Sequence, residues 1–493
     1  VKIKELLIDI PVISQNGNLD QEVTGLSQNS KLLQKGNIFF AVKGSTGDGT
    51  TYIPEAIARE ASAVIKVPGG FFATTLAEKP PGTSIIEVAD VRSLIGPLAA
   101  RFYGNPSEEL YLTGVTGTNG KTTTTYIVEA LLGSGIIGTI DFHYQKNLEF
   151  STHTTPDGIK VQGLLRRWVD LGAKSVAMEV SSHGLVQKRL ASLQFDSAIF
   201  TNLTRDHLDF HGTMEEYIKA KAILFKVCLE NSIKKNKRAI LNCEDSHYKK
   251  LLPSKVPVWT YGFSNGDFKV AKINLTFDGT DLEINTPMGL FQCRLNIVGR
   301  HNVANTLGAL AVAVHSGVDL HVASKRLSQL SGVPGRLQRV TGKNSKIRVF
   351  VDYAHTDDGL EKVLGFLKKM RDEVSHSSKI ITVFGCGGDR DTGKRPLMMK
   401  AAMEASDRVI VTSDNPRTED PEKIISDIVK GTAKSSKFAV DADRRQAIQL
   451  AIDQAKAGDI VIIAGKGHEN YQIIGDKKYP FDDASIAKEI LDS

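Results

Sequence analysis

A multidomain α/β protein with mostly parallel sheets is predicted by three features of the sequence. Short apolar runs such as SVAMEV (175–180), SAIFTNL (197–203) and KIITVFG (379–385) alternate with helical stretches, the pattern of buried parallel strands and their crossover helices. A length of 493 residues, at roughly 100–200 residues per domain, calls for two to four domains. The composition, 41% hydrophobic and 24% charged, is that of an ordinary soluble protein and excludes collagen-like, coiled-coil and disordered chains.

The elements follow in order. Residues 24–66 read as a small α/β unit: a strand at IFFAV (38–42), glycine punctuation at Gly44, Gly47 and Gly49, and an amphipathic helix at IPEAIAREA (53–61). IIEV (85–88) is the last strand before a helix at 91–103, and YGNPSEE (103–109) reads as a turn. From Leu110 a second series runs through YLTGVTG, a helix from Lys121, SVAMEV, SAIFTNL and RAILNCE. Residues 256–298 are less regular and suggest an antiparallel patch around DLEINTP. A third series starts at VPGRLQRV (333–340): IRVFVDY, a helix from Gly359, KIITVFG, RVIVTS, a helix from Pro421 and DIVIIAG. The expected domains are 1–92, 93–333 and 334–493, and the basic run KKNKR (234–238) reads as a solvated loop.

The net charge is +6, from 62 basic and 56 acidic residues, which suggests anionic ligands and does not imply nucleic acid. Four widely spaced cysteines form no CxxC pair, as expected in a reducing compartment. The segment VKIKELLIDIPVI lacks the apolar run of a signal peptide, and no run of 18 apolar residues occurs. A cytoplasmic protein without a membrane span is expected.

The strongest single signal is GVTGTNGKTT (114–123), a glycine-rich turn between an apolar strand and a helix. Backbone N–H groups in such a turn form an anion site and the helix amino terminus adds its dipole. The Lys121 ammonium can reach outer phosphates, and the Thr122 hydroxyl can ligate Mg²⁺. The spacing departs from GxxxxGK[ST], because Val115 stands five residues before Gly120. On the loop alone a kinase, a motor ATPase and a ligase all remain open.

TGTNGKTT, MEVSSHGL (178–185) and TNLTRDHLDFHG (201–212) together resemble the Mur ligases, which add amino acids to a peptidoglycan precursor with ATP. GRHNVANTLGALA (299–311), VPGRLQ (333–338) and DYAHTDDGL (352–360) extend the resemblance through all three expected domains. It implies an N-terminal UDP-binding α/β domain, a central P-loop ATPase-like domain and a C-terminal Rossmann-like domain. EVSSHGLVQKR and DNPR (414–417) resemble the members that add the third residue, and DNPR implies meso-diaminopimelate as that residue.

The resemblance assigns roles by position. Gly117, Thr118, Asn119, Gly120, Lys121, Thr122 and Thr123 are expected to hold the ATP phosphates, with Mg²⁺ on Thr122 and Glu179. His207 is implied as a ligand of a second metal ion, and Lys221 as a lysine carbamylated by CO₂ (N6-carboxylysine) that helps to organise it. Read without the family, Lys221 in EEYIKAKAILF is a surface lysine on an amphipathic helix. Asn305 is implied near adenine, Arg336 and Asp352 near ribose or phosphate, in a cleft between the second and third domains, and His355 near the γ-phosphate. Asp357 replaces a usual proline. The acceptor, UDP-N-acetylmuramoyl-L-alanyl-D-glutamate, is implied to meet Ser30, His153, Thr154, Thr155, Ser181, Gln187 and Arg189, with Lys31 in place of the family's commoner arginine.

For meso-diaminopimelate the implied contacts are Arg390, Asp414, Asn415, Pro416, Arg417, Gly465 and Glu469. Diaminopimelate differs from lysine by a distal carboxylate, and the Arg417 fork can grip it bidentately. A lysine-adding ligase, a folylpolyglutamate-synthetase-like enzyme and, from another class, a P-loop kinase or ATPase are the alternatives. A monomer is expected.

Overall fold

The computed structural model describes residues 1–44, 47–69, 82–151, 153–342, 346–374, 377–433 and 435–493. They form two compact units: Val1–Lys269 with Thr286–Met288 and Ala304–Ala323, and Val270–Asn285 with Gly289–Val303 and Ser324–Ser493.

The first unit holds two sheets. Its amino-terminal sheet runs Val12–Asn16, Ser84–Val88, Ala63–Lys66, Asn37–Phe40, Gly25–Ser27, parallel apart from the first pair. The run NIFF is buried throughout, as a strand covered on both faces requires. Helix Val91–Phe102 starts where the Asp90 carboxylate accepts from the N–H groups of Arg92 and Ser93. The turn expected at 103–109 contains a short helix, Pro106–Glu109, entered through left-handed Asn105 with proline in its first turn.

The central sheet places strand Tyr111–Thr116 between Ser175–Glu179 and Ser197–Phe200, all parallel. Arg238–Asn242 and Val258–Gly262 continue it on one side, and Gly135–Ile137 and the hairpin Asp141–Tyr144/Asn147–Phe150 on the other. Register pairs Glu179 with Val115 and Phe200 with Thr116, so the segments after these strands leave from one carboxyl edge.

The KKNKR run is not simply solvated. Lys234 donates to the carbonyls of Glu108 and Leu110 and pairs with Asp196 at 3.5 Å, Lys237 donates to those of Glu230 and Ser232, and Arg238 stacks on Trp259.

In the less regular region, Val258–Gly262 belongs to the parallel sheet. Phe268–Thr276, Gly279–Thr286 and Gly289–Leu295 then follow one another through two-residue turns as neighbouring strands. The second unit's main sheet runs Gln338–Val340, Arg348–Asp352, Ile460–Ala464, Ile380–Phe384, Arg408–Val411, Phe438–Val440, with only the first strand antiparallel. Alternate residues feed two cores: Phe350, Phe384 and Ile462 pack with Leu364, Met398 and Ile424, while Val383, Val461 and Ile463 pack with Ile448 and Ala487. Helix Asp357–Val374 begins two residues before the expected Gly359, with Asp357 and Asp358 at its positive end. No helix among the described residues is long and apolar enough to cross a membrane.

Candidate active site

The phosphate loop is built largely from backbone. After strand Tyr111–Thr116 the chain takes left-handed conformations at Gly117 and Gly120, and helix Lys121–Leu132 begins at once. A Cβ on Gly117 would lie 1.9 Å from the Thr201 hydroxyl, and one on Gly120 would lie 2.5 Å from Asn305 Oδ1. The neighbouring strand end holds the loop: Asn119 N–H donates to Asn202 Oδ1 at 3.0 Å, and Thr201 Oγ1 donates to Asn119 O at 2.6 Å. Asn305 thus packs against the loop. Lys121 Nζ folds back to donate to the carbonyls of Gly117 and Thr118 at 2.9 and 2.8 Å. Thr122 and Thr123 are buried in the first helical turn.

Lys221 is not the surface residue its helix pattern suggested. Its side chain is 1% exposed, its Nζ donates to Gly117 O at 2.9 Å and lies 4.3 Å from the Tyr217 ring centre. Burial, reinforced by the Lys121 charge, pushes its ammonium well below the ordinary lysine range. Two lysines therefore converge on one loop carbonyl.

Glu179 ends its strand buried and its carboxylate is held by a residue no motif singled out. Thr139 N–H donates to Oε1 at 2.8 Å and its hydroxyl to Oε2 at 2.9 Å. His207 is half-exposed with φ 52°, 3.5 Å from Asp206, and its ring lies near His183 and Tyr217. Burial lowers the His183 and His211 imidazoles, with the neighbouring histidines adding to it.

Among the described residues no group of three His, Cys, Asp or Glu side chains could hold a metal ion. Thr122 and Glu179 nevertheless offer hard oxygen donors beside a phosphate loop, which fits Mg²⁺, an ion held by one or two protein oxygens plus substrate phosphates and water.

The chain gathers most of the expected acceptor contacts around the same edge. Thr154 Oγ1 lies 3.0 Å from Thr139 Oγ1, and Thr155 Oγ1 donates to Glu179 O and accepts from Ser181 N–H. Arg189 donates to Thr155 O and, through two nitrogens, to Gln187 Oε1. His153 is exposed. Ser30 is buried in the amino-terminal sheet region, and its hydroxyl helps hold the Glu55 carboxyl below the usual range.

In the second unit a separate cluster forms where strands Arg348–Asp352, Ile460–Ala464, Ile380–Phe384 and Arg408–Val411 end. Asp414, Asn415 and Pro416 are buried, and Arg417 is left-handed with φ 52°. Arg417 Nη1 donates to Gly388 O at 2.8 Å. A Cβ on Gly465 would meet Asp414 Oδ2 at 2.7 Å, and Asn415 Nδ2 donates to Glu469 Oε2 at 2.8 Å. Arg390 is exposed on the adjoining loop. Asp352 accepts from the N–H groups of Leu337 and Ala354; burial raises its carboxyl, against the lowering effect of Arg336. Arg336 lies over the Tyr353 ring, and Lys394 donates to His355 O. Sequence reasoning missed Thr139, Thr201, Asn202 and Lys466. Thr201 and Asn202 lie inside a quoted motif, whereas Thr139 meets Glu179 from 40 residues away and Lys466 meets Asn415 from 51.

Residues 115–313 match the Mur ligase middle domain, and residues 335–467 match the Mur ligase, glutamate ligase domain. A UDP-N-acetylmuramoyl-L-alanyl-D-glutamate--2,6-diaminopimelate ligase of Gloeobacter violaceus is 42% identical over 481 residues, 96% of this chain and 94% of the relative. The Aquifex aeolicus protein of the same name is 42% identical over 479 residues, again 96% and 94%. A solved structure of a ligase with that name superposes with a TM-score of 0.72 at 34% identity, covering 100% of this chain and 98% of the other. The MurF ligase of Thermotoga maritima in complex with ADP gives a TM-score of 0.59 at 22% identity, over 90% and 94%, and shows the shared fold. Matched in two domains over most of its length and by relatives across nearly all of it, the chain belongs to the Mur ligase family.

Proposed function

We propose that this protein is an ATP-dependent ligase that joins meso-diaminopimelate to the D-glutamate of UDP-N-acetylmuramoyl-L-alanyl-D-glutamate, in the cytoplasm and as a monomer. The observation that carries the reading is the pairing of a phosphate loop, with two lysines on one carbonyl, with a separate buried DNPR loop that presents an arginine. The relatives' shared name supports the same substrates.

In this reading the substrate carboxylate attacks the γ-phosphorus of ATP, giving an acyl phosphate and ADP; the amine then attacks the acyl carbon and phosphate leaves. Lys121 exchanges its carbonyls for β- and γ-phosphate oxygens, and the Gly117–Thr123 backbone cradles them. Asn305, packed on Gly120, contacts the adenine end, with Arg336 and Asp352 contributing to ribose or phosphate binding. Thr122, Glu179 and His207 would hold two Mg²⁺ ions, which neutralise phosphate charge when bound. The neutral amine favoured by burial at Lys221 is the form that reacts with CO₂, so Lys221 carries a carbamate. Ser30, His153, Thr154, Thr155, Ser181, Gln187 and Arg189 bind the nucleotide-peptide. Arg390, Asp414, Asn415, Pro416, Arg417, Gly465 and Glu469 bind the amino acid. Domains 1–92, 93–333 and 334–493 divide these tasks.

Sustained ADP release should require both the nucleotide-peptide and the amino acid. Release with neither would mark a P-loop ATPase instead. The carbamate should give a carbon-13 resonance under labelled CO₂ that Lys221→Met abolishes.

A further inference from the structure

Lys466 is 0% exposed and lies just past the central strand Ile460–Ala464, between left-handed Gly465 and Gly467. Burial pushes its ammonium down, with Asp414 the first of the charges opposing that shift. Its Nζ donates to Asn415 Oδ1 at 3.2 Å and to Tyr471 O, and lies 3.6 Å from Glu469 Oε2. The ammonium thus has two hydrogen-bond acceptors and one ion-pair partner. Asn415 Nδ2 also donates to Glu469 Oε2, so Lys466, Asn415 and Glu469 close a triangle in which each touches the other two. Asn415 Oδ1 additionally accepts from Ile473 N–H at 2.9 Å, which fixes the amide's orientation.

Ile473 belongs to the hairpin Tyr471–Ile474/Lys477–Pro480. That hairpin binds the DNPR loop at further points: Gln472 Nε2 donates to Asp414 O at 2.7 Å, Arg417 N–H to Ile473 O at 3.1 Å, and Gly475 N–H to Arg417 O at 2.7 Å. The DNPR loop therefore takes its shape from a hairpin more than 50 residues later, and Lys466 is the charged group that joins loop to hairpin.

We infer that Lys466 is a positioning residue that, with the 471–480 hairpin, sets amino-acid affinity by holding Asn415 and Glu469 in place. This rests on the reading of the DNPR pocket as the amino-acid site. Lys466 leaves phosphoryl transfer untouched in this account, because the partners of its ammonium, Asn415, Tyr471 and Glu469, belong to the DNPR pocket and its hairpin.

The test compares Lys466→Met with Lys466→Gln, which keeps an N–H donor for Asn415 Oδ1 and leaves Glu469 unchanged. Steady-state kinetics with meso-diaminopimelate should show its KM raised roughly ten- to hundredfold. KM for ATP and for the nucleotide-peptide should stay within about twofold in at least one of the variants, and Lys466→Gln should melt closer to the parent than Lys466→Met. Unchanged diaminopimelate KM, an equal loss for all three substrates, or unfolding of both variants would overturn the assignment. Arg417→Ala separates the two levels of inference. If it leaves diaminopimelate KM unchanged, the pocket reading fails; if it raises that KM and the Lys466 variants do not, only the positioning role fails.

Discussion

The phosphate loop and the DNPR loop both follow strands of parallel sheets, yet they are fixed in opposite ways. The phosphate loop is shaped by its own backbone: two left-handed glycines turn it and Lys121 bonds to the loop's own carbonyls, while the adjoining strand end, 82 and 83 residues on in sequence, only pins it through Thr201 and Asn202. The DNPR loop is long-range, held by Lys466, by a hairpin more than 50 residues away and by Gly388 O on Arg417. The first site takes its form from backbone within one stretch of sequence, whereas the second is assembled from side chains that several segments supply.

The largest test of this contrast is steric. Gly117→Ala places a methyl group on the Thr201 hydroxyl at a φ of 151° and should lower kcat on the order of 10³-fold, at a cost of about 1–3 kcal/mol in stability. Retained turnover in a circular-dichroism-matched variant would show the loop to be more plastic than its geometry implies.

The second test strikes the long-range scaffold. Arg444 and Asp483 form a fully buried pair, and Arg444 also donates to Ser413 O and Ala464 O, the strand ends on either side of the cluster. Arg444→Met strands a buried carboxylate and should cost about 3–5 kcal/mol in chemical denaturation, much of it recovered in Arg444→Met/Asp483→Leu. No recovery in the double variant would remove the charge argument.

Next in size, Arg417→Ala should raise KM for diaminopimelate roughly ten- to hundredfold while ATP KM holds, because a desolvated carboxylate loses its partner. Parallel rises for both would make Arg417 structural.

The smallest effect concerns pH. His143 lies between Asp141, at 2.6 Å, and Glu129 on the phosphate-loop helix, at 2.7 Å. Burial opposes its charge, but the two carboxylates raise the imidazole from 6.5 to about 10. A raised folded value gives stability that is full below pH 6.5 and lost as pH climbs toward 10. His143→Gln should therefore lower Tm by roughly 2–4 °C at pH 6, with the deficit closing by pH 10. A deficit independent of pH would mean packing, not charge.

This contrast also explains what could be read from the sequence. The α/β class, the strand series and GVTGTNGKTT were legible because apolar periodicity and glycine spacing act over a few residues. Lys221 was misread from periodicity alone: helix Met214–Ile223 gives way to a wider π-helical turn at Leu224–Leu229, and the lysine faces the phosphate loop, 104 residues away in sequence. Thr139 and Lys466 were illegible for the same reason. Each meets a partner, Glu179 or Asn415, that only the fold brings near.

The most direct measurement of the central claim is ADP release by the intact protein with UDP-N-acetylmuramoyl-L-alanyl-D-glutamate, comparing meso-diaminopimelate with L-lysine. The account predicts sustained release with diaminopimelate and a kcat/KM for lysine at least about a hundredfold lower, since lysine leaves Arg417 without its carboxylate. Equal use of lysine, or a preference for it, would contradict the account.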